Sequence, residues 1–272
     1  MNKVTEADIK GKLYVPPADS HKGQNGKLLL IGGSKLFHAA SLWALNISSR
    51  IVDMVYYSSV ADNNDIVQAA KKEFHDGIVI RRDQIDDYIQ EADCILIGPG
   101  LPREEGIEEG DDDTYELTSR LLQKYASKKW VIDGGSLQVI DPEIIPHTAI
   151  VTPHHGEFQK LFGIDNRPDH VQRMAKGYGI VVVAKGQQDI VCSPEECRVV
   201  EGGNSGMTKG GTGDVLAGLI AALYCKNDQF LSAIAGSYIN KKAGEKLFER
   251  VGYTFNATDL VEEIPLVMKE LL

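Results

Sequence analysis

The sequence predicts an α/β fold built on a mostly parallel sheet. Short apolar runs recur along the first two thirds of the chain, nearly continuous rather than alternating, as strands buried on both faces should be. Helical patterns lie between several of them, which implies crossovers and parallel pairing. The chain of 272 residues holds 27 glycines, many directly after those runs, and this marks strand-to-loop turns rather than a flexible tail.

Taken in order, residues 1–26 are polar, with Pro16-Pro17 midway, and read as a short lead-in helix followed by a loop. Strands are then predicted at Lys27 to Ile31, Met54 to Val60, Gly77 to Ile80, Cys94 to Ile97, Trp130 to Ile132, Ala149 to Val151 and Ile180 to Ala184. Between them, helices are predicted at Ala39 to Ile51, Asp113 to Tyr125, Gly156 to Phe162 and Asp169 to Lys176. A hairpin is expected between Ile190 and Val200, turning at Ser193-Pro194-Glu195-Glu196. The chain then changes character, and Gly213 to Tyr224, Phe230 to Phe248 and Thr258 to Leu271 read as consecutive helices. No linker or repeat interrupts it, so residues 1–272 are expected to form one domain.

Composition narrows the function. The formal net charge is −10 and no long basic stretch appears, which argues against a nucleic-acid partner. The longest nearly apolar stretch, Val215 to Cys225, is too short to span a bilayer, and the N-terminus has no apolar signal core. No membrane partner and a cytoplasmic location are therefore expected. Cys94 and Cys225 lie in apolar runs and read as core residues. Cys192 and Cys197 lack the paired spacing and nearby histidine of a zinc site, so no metal is assigned to them, and the usage fits a reducing cytoplasm. The acidic run from Glu104-Glu105 through Asp111-Asp112-Asp113 reads as a solvated loop rather than a cation site.

Ligands of open parallel sheets bind beyond the carboxyl ends of the strands. Five unusual turns fall there: Gly32-Gly33-Ser34, Gly98-Pro99-Gly100, Asp133-Gly134-Gly135, Thr152-Pro153-His154 and Lys185-Gly186. Together they suggest a long cleft approached closely by backbone. The sharpest signal is the run Asn204 to Gly218, in which Gly210-Gly211-Thr212-Gly213-Asp214 precedes an apolar helix. Amides at a helix N-terminus attract anions, so a phosphate there is chemically reasonable. Asp214 would repel that phosphate as a passive neighbour. It makes more sense as a base acting on a hydroxyl that attacks phosphorus, against the alternative of a plain first-turn acid. The Walker order is absent, and Gly32-Gly33-Ser34 does not match Gly-x-Gly-x-x-Gly, which disfavours a dehydrogenase-type site.

At this point a resemblance emerges. Asn204 to Gly218 resembles the signature of ADP- or ATP-dependent NAD(P)H-hydrate dehydratases, within the ribokinase-like superfamily. In the same order, Lys27 to Ser34, Ile97-Gly98-Pro99-Gly100-Leu101, Val131-Ile132-Asp133-Gly134-Gly135, Thr152-Pro153-His154-His155-Gly156-Glu157 and Val183-Ala184-Lys185-Gly186 resemble that family's segments, over roughly residues 20–225. The resemblance implies a three-layer α/β/α sandwich. It also implies a repair reaction in which hydrated NADH or NADPH is the substrate, ADP or ATP with Mg²⁺ supplies a phosphoryl group, and phosphate then leaves the ring.

By the same resemblance, Asp214 is the catalytic base. Ala39, Gly100, His154 and Asp214 contact the hydrated dinucleotide. Lys185, Gly186, Gln187, Gln188 and Asp189, with Gly211, Thr212 and Gly213, face the adenine nucleotide and its phosphates. Asn204 would orient the glycine loop or a phosphate, and Glu157 would reach metal through water or cap the next helix. No protein metal site is assigned. Self-association into a homo-oligomer is implied, and the epimerase domain fused in some relatives finds no room here.

The sequence departs from the family's usual pattern at Phe37-His38-Ala39-Ala40, at Gln187-Gln188-Asp189, which leaves ADP against ATP open, and at Lys209. Lys209 stands where a small or β-branched residue is usual, either reaching a phosphate or simply solvated. The nearest rival reading is a small-molecule kinase of the same superfamily, of thiazole or pyridoxal type. A rival of another class is a nucleotide-binding sensor.

Overall fold

The computed structural model describes residues 1–103 and 107–272. Among these, the chain runs β1 (Asn2–Lys3), β2 (Lys27–Ile31), α1 (His38–Ser48), β3 (Met54–Ser58), α2 (Ala61–Ala70), β4 (Ile78–Ile80), α3 (Ile85–Glu91), β5 (Cys94–Ile97), α4 (Thr114–Lys124), β6 (Lys129–Ile132), α5 (Gly134–Leu137), β7 (Ala149–Val151), α6 (His155–Phe162), α7 (Pro168–Tyr178), β8 (Val181–Ala184), β9 (Asp189–Cys192), β10 (Cys197–Val200), α8 (Thr212–Lys226), α9 (Gln229–Val251) and α10 (Ala257–Leu271). The lead-in helix is a single 3₁₀ turn, Glu6–Asp8, held by Asp8 Oδ2 accepting from the Thr5 amide at 2.8 Å.

One ten-stranded sheet has the order β1-β10-β9-β8-β7-β6-β5-β2-β3-β4. From β4 to β8 all pairs are parallel, and only β8–β9 and β9–β10 are antiparallel. The continuous apolar runs follow from this geometry. Alternate residues of a strand point to opposite faces, and both faces are covered. Leu28, Leu30, Leu96 and Val131 pack with α1, α8, α9 and α10, whereas Leu29, Ile31, Ile95 and Trp130 pack with α3, α4, α6 and α7. The result is a three-layer α/β/α sandwich.

The strand order reverses between β2 and β5: the chain moves outward through β3 and β4, then returns to β2's other side. A crevice forms at such a switch point because the loops leave in opposite directions. Gly98, just after β5, has φ +119, and a Cβ there would lie 1.7 Å from the Asp133 carbonyl oxygen. Only glycine lets these two strand-end loops close on each other.

The hairpin formed as expected, with Ser193 donating to the Glu196 carbonyl at 2.8 Å across its turn. Its cysteines are a correction. Cys192 and Cys197 form a disulfide, Cα atoms 4.1 Å apart, which a reading of reduced cysteines does not anticipate. The hairpin register sets these residues directly opposite each other, and sequence spacing alone did not fix that register.

The acidic run also needs correction. Asp111 accepts from the Lys35 amide at 2.9 Å, half-buried Asp112 pairs with Arg82 at 2.7 Å, and Asp113 caps α4 through the Glu116 amide at 2.9 Å. These three aspartates fasten separate elements rather than forming a plain solvated loop. Glu104 and Glu105 lie outside the described residues.

The sequence pattern did not reveal α2 and α3. Helix α2 is polar and carries consecutive asparagines that its apolar spacing cannot explain. Asn63 and Asn64 are buried and bind inward, to the Tyr57 hydroxyl at 2.7 Å and to the Ile80 carbonyl at 3.2 Å. Tertiary contacts override the weak local preference there. Among the described residues no helix is long and apolar enough to cross a membrane.

Candidate active site

Four of the five strand-end turns, through Gly100, Asp133-Gly134, His154 and Lys185, surround one cleft of about 520 Å³ with the N-termini of α1 and α8, whereas Gly32-Gly33-Ser34 does not line it. That volume suits a small-molecule ligand. Ala39, Gly100, His154, Glu157, Lys185, Gly211, Gly213 and Asp214 all line it. Helices α1 and α8 reach it side by side because Gly218 lets them touch: a Cβ there would lie 2.7 Å from the Ala44 carbonyl oxygen. The Ser48 hydroxyl bridges them further, donating to the Ala44 and Gly218 carbonyls at 2.7 and 3.0 Å.

Helix α8 begins at Gly211, whose φ of +93 turns the chain into the helix without any side-chain cap. A Cβ at Gly211 would sit 2.3 Å from the Trp43 ring. The amides of Gly213 and Asp214 have no helical acceptor in this first turn, which leaves them available to an anion. Thr212 turns inward instead, its hydroxyl donating to the Met207 and Lys209 carbonyls at 2.7 and 3.0 Å.

The charged centre of the cleft is Lys185 among three carboxylates. Its ammonium lies 2.7 Å from Asp133 Oδ1 and 3.8 Å from Glu157 Oε2. Thr152 donates to the same Asp133 oxygen at 2.6 Å. Burial disfavours the Lys185 charge, but Asp133, Glu157 and Asp214 outweigh it, so the ammonium is held more firmly protonated than usual. Burial raises the Glu157 carboxyl; Lys185 opposes this and Asp133 adds to it. Asp214 is pushed up to about 7, first by burial and then by the Asp133 charge, with Lys185 and Arg103 pulling the other way. A carboxylate poised near neutral pH is suited to accept a proton from a hydroxyl.

His154 and Glu157 close a reciprocal cap on α6: the Glu157 amide donates to His154 Nδ1 at 3.1 Å, and the His154 amide to Glu157 Oε2 at 2.9 Å. The imidazole is half exposed and lines the cleft, so the cap also fixes which ring edge faces a ligand.

Other predicted residues sit outside the cleft wall. Gly186, Gln187 and Gln188 form an exposed turn beyond β8. Asp189 is buried beneath that turn, accepting from the Gly186 amide at 2.9 Å. Asn204 caps the 3₁₀ turn Ser205–Thr208, accepting from the Gly206 amide at 2.9 Å and donating to the Gly244 carbonyl at 2.8 Å, which serves loop geometry. Lys209 takes neither expected course. Its ammonium donates to the Tyr253 and Phe255 carbonyls and stands 5.3 Å from the Phe255 ring centroid, tying the glycine loop to the α9–α10 connection.

Sequence reasoning missed Asp133 as the partner of Lys185, although it lay on a marked strand end. It also missed Phe37, Trp43 and Arg103 in the cleft wall. Trp43 follows Ala39 by one helical turn and so shares its face, a signal that was present and not used.

This geometry can be set against known proteins. The family model described as NAD(P)H-hydrate dehydratase matches residues 28–266. The chain belongs to the NAD(P)H-hydrate dehydratase family. It is 37% identical to the bifunctional NAD(P)H-hydrate repair enzyme Nnr of Methanocaldococcus jannaschii, over 93% of this chain and 50% of that protein. The chain thus spans about half the length of several curated relatives it matches. It is 32% identical to the ADP-dependent (S)-NAD(P)H-hydrate dehydratase of Cenarchaeum symbiosum, over 98% of this chain and 96% of that one. In fold it is similar to the ADP/ATP-dependent NAD(P)H-hydrate dehydratase of Bacillus subtilis, co-crystallised with ATP and Mg²⁺. There the TM-score is 0.80 at 23% identity, with 100% of this chain and 99% of that one covered. A ribokinase from Thermotoga maritima shares the fold at TM-score 0.61 and 12% identity, covering 90% of this chain and 99% of that one.

Proposed function

We propose that this family member dehydrates hydrated NADH or NADPH with ADP or ATP, and that Asp214 is its catalytic base. The observation that carries this is the placement of Asp214: a carboxyl raised to about 7, at the free N-terminus of α8, in the same cleft as Lys185. A phosphate bound by the amides of Gly213 and Asp214 and by the Lys185 ammonium would meet developing charge with preorganised donors. Hydroxide is a poor leaving group and phosphate a good one, which is why phosphorylation precedes loss of water.

Asp214 takes the proton of the ring hydroxyl, and the hydroxyl oxygen bonds to the terminal phosphorus as the nucleotide's bridging oxygen departs. The ring nitrogen lone pair then expels inorganic phosphate, the neighbouring ring carbon gives up a proton, and the double bond returns. His154 and Ala39, which line the cleft, would contact the dinucleotide, and the exposed Gly186–Gln188 turn would contact the nucleotide.

Among the described residues no three acids, histidines or cysteines are placed to hold a metal ion. Asp133 is already engaged by Lys185 and Thr152. This donor set suits Mg²⁺ carried on the nucleotide phosphates, with Glu157, already bonded to the His154 amide, reaching it only through water, and the ion would neutralise phosphate charge. The reading extends to a self-associating cytoplasmic enzyme in which residues 1–272 form a single domain.

The test is incubation of the protein with hydrated NADH, Mg²⁺ and each nucleotide in turn. NADH absorbance should return with release of one phosphate per NADH. A stable phosphorylated product would instead establish a kinase, and binding without turnover a sensor.

A further inference from the structure

The Gly186–Gln188 turn, expected to face the nucleotide, rests on a single helix face, and none of that face's residues lines the cleft. Ser237, Lys241 and Gly244 follow the i, i+4, i+7 spacing of one face of α9. Lys241 is buried, and its ammonium donates to the Gly186 carbonyl at 3.0 Å and the Gln187 carbonyl at 3.2 Å. It also lies 3.2 Å from Asp189 Oδ1. Two ammonium donors are thus committed to the turn's carbonyls, and its charge is paired with Asp189. Asp189 is equally committed: Oδ1 accepts from the Gly186 amide at 2.9 Å and Oδ2 from the Ser237 hydroxyl at 2.6 Å.

The same helix face holds the approach to the glycine loop. The Gly244 carbonyl accepts from Asn204 at 2.8 Å. Gly244 also admits the Met207 sulfur, which a Cβ would meet at 2.3 Å. One rigid helix therefore sets both the Gly186–Gln188 turn and the segment entering Gly210–Asp214.

The geometry points to Asp189, Ser237 and Lys241 as positioning residues that shape the nucleotide subsite from beneath, with Asp189 excluded from direct contact with the nucleotide. This deepens the proposed function and rests on it for the identity of the nucleotide. The buried pair fixes where the backbone of residues 186 and 187 sits. Without Lys241 the two carbonyls lose their donor and the turn is free to rise.

The test uses the whole chain in four forms: native, Lys241→Met, Lys241→Arg and Asp189→Asn. Calorimetry gives the Kd for ADP and for ATP with Mg²⁺, and steady-state kinetics give kcat and the KM for hydrated NADH. Lys241→Met and Asp189→Asn should weaken nucleotide binding about tenfold, a modest part of what misplacing a binding group can cost. The KM for hydrated NADH should stay within about twofold, as uniform loss of the fold would not allow. Lys241→Arg, which keeps charge and donors, should restore most of the nucleotide affinity.

Breaking a buried pair can prevent folding by leaving one charge alone. The double variant Asp189→Asn with Lys241→Met removes both charges and serves as the folded reporter, with the same loss expected. Unchanged nucleotide Kd in a folded variant, or equal losses for both substrates, would overturn the inference. A native protein that binds ADP yet restores no NADH would sink the proposed function instead, and the Kd comparison would still decide this one.

Discussion

Asp214→Asn should remove turnover and at the same time stabilise the fold at alkaline pH. Burial and the Asp133 charge raise the Asp214 carboxyl from its ordinary 3.8 to about 7. A carboxyl that titrates higher in the folded than in the unfolded state binds more protons when folded. Its folded form is therefore relatively most stable below about pH 4, and that advantage is lost as the pH rises through about 7. At about 1.4 kcal/mol per unit, the rise corresponds to about 4 kcal/mol. Asp214 keeps some solvent contact, which screens its charge, so about 2 kcal/mol is the working value. Asparagine keeps the shape without the charge. The variant should melt about 4–8 °C above the native protein at pH 8 and level with it near pH 4. Its kcat should fall about 10³-fold, as expected for loss of a general base, and native kcat/KM should climb with pH through about 7. Thermal melts at both pH values and NADH recovery check these outcomes. Equal melting differences at pH 4 and pH 8 would refute the burial argument, and turnover within about tenfold of native would refute the base.

Two further substitutions probe the loop around it. Gly211→Ala forces a side chain into a backbone of φ +93 and against the Trp43 ring. It should destabilise the protein by about 3 kcal/mol, combining left-handed strain and overpacking, and strip most turnover even where the protein stays folded; denaturant titration and NADH recovery measure the two effects. Lys209→Met should lower stability by about 1–2 kcal/mol through its two lost carbonyl contacts and leave ADP affinity in calorimetry unchanged. A large loss of affinity would return Lys209 to the phosphate site.

The strands were legible because burial on both faces leaves nearly unbroken apolar runs, and five of the seven early strand ends announced themselves by unusual turns. Gly210–Asp214 was legible for a local reason: glycine and an acid at the start of an apolar helix are visible in a window of a dozen residues. Helix α2 was hidden because its inward side chains are asparagines, which gain their partners from α1, from β3 and the turn after it, and from β4 once these pack together. The Cys192–Cys197 bond was hidden because pairing depends on hairpin register.

The sequence by itself determined the parallel α/β architecture and the glycine loop that opens an apolar helix with a carboxylate in its first turn, since both rest on periodicity and local chain conformation. Tertiary structure alone decided the rest. Asp133, Glu157, Lys185 and Asp214 lie on four separate segments, and their charges act on one another only after the strand ends converge. Lys209, one step outside the loop, was read by type and position as either reaching a phosphate or simply solvated. The fold instead gives it two backbone carbonyls from the α9–α10 connection, because a flexible side chain follows the acceptors that packing brings within its reach.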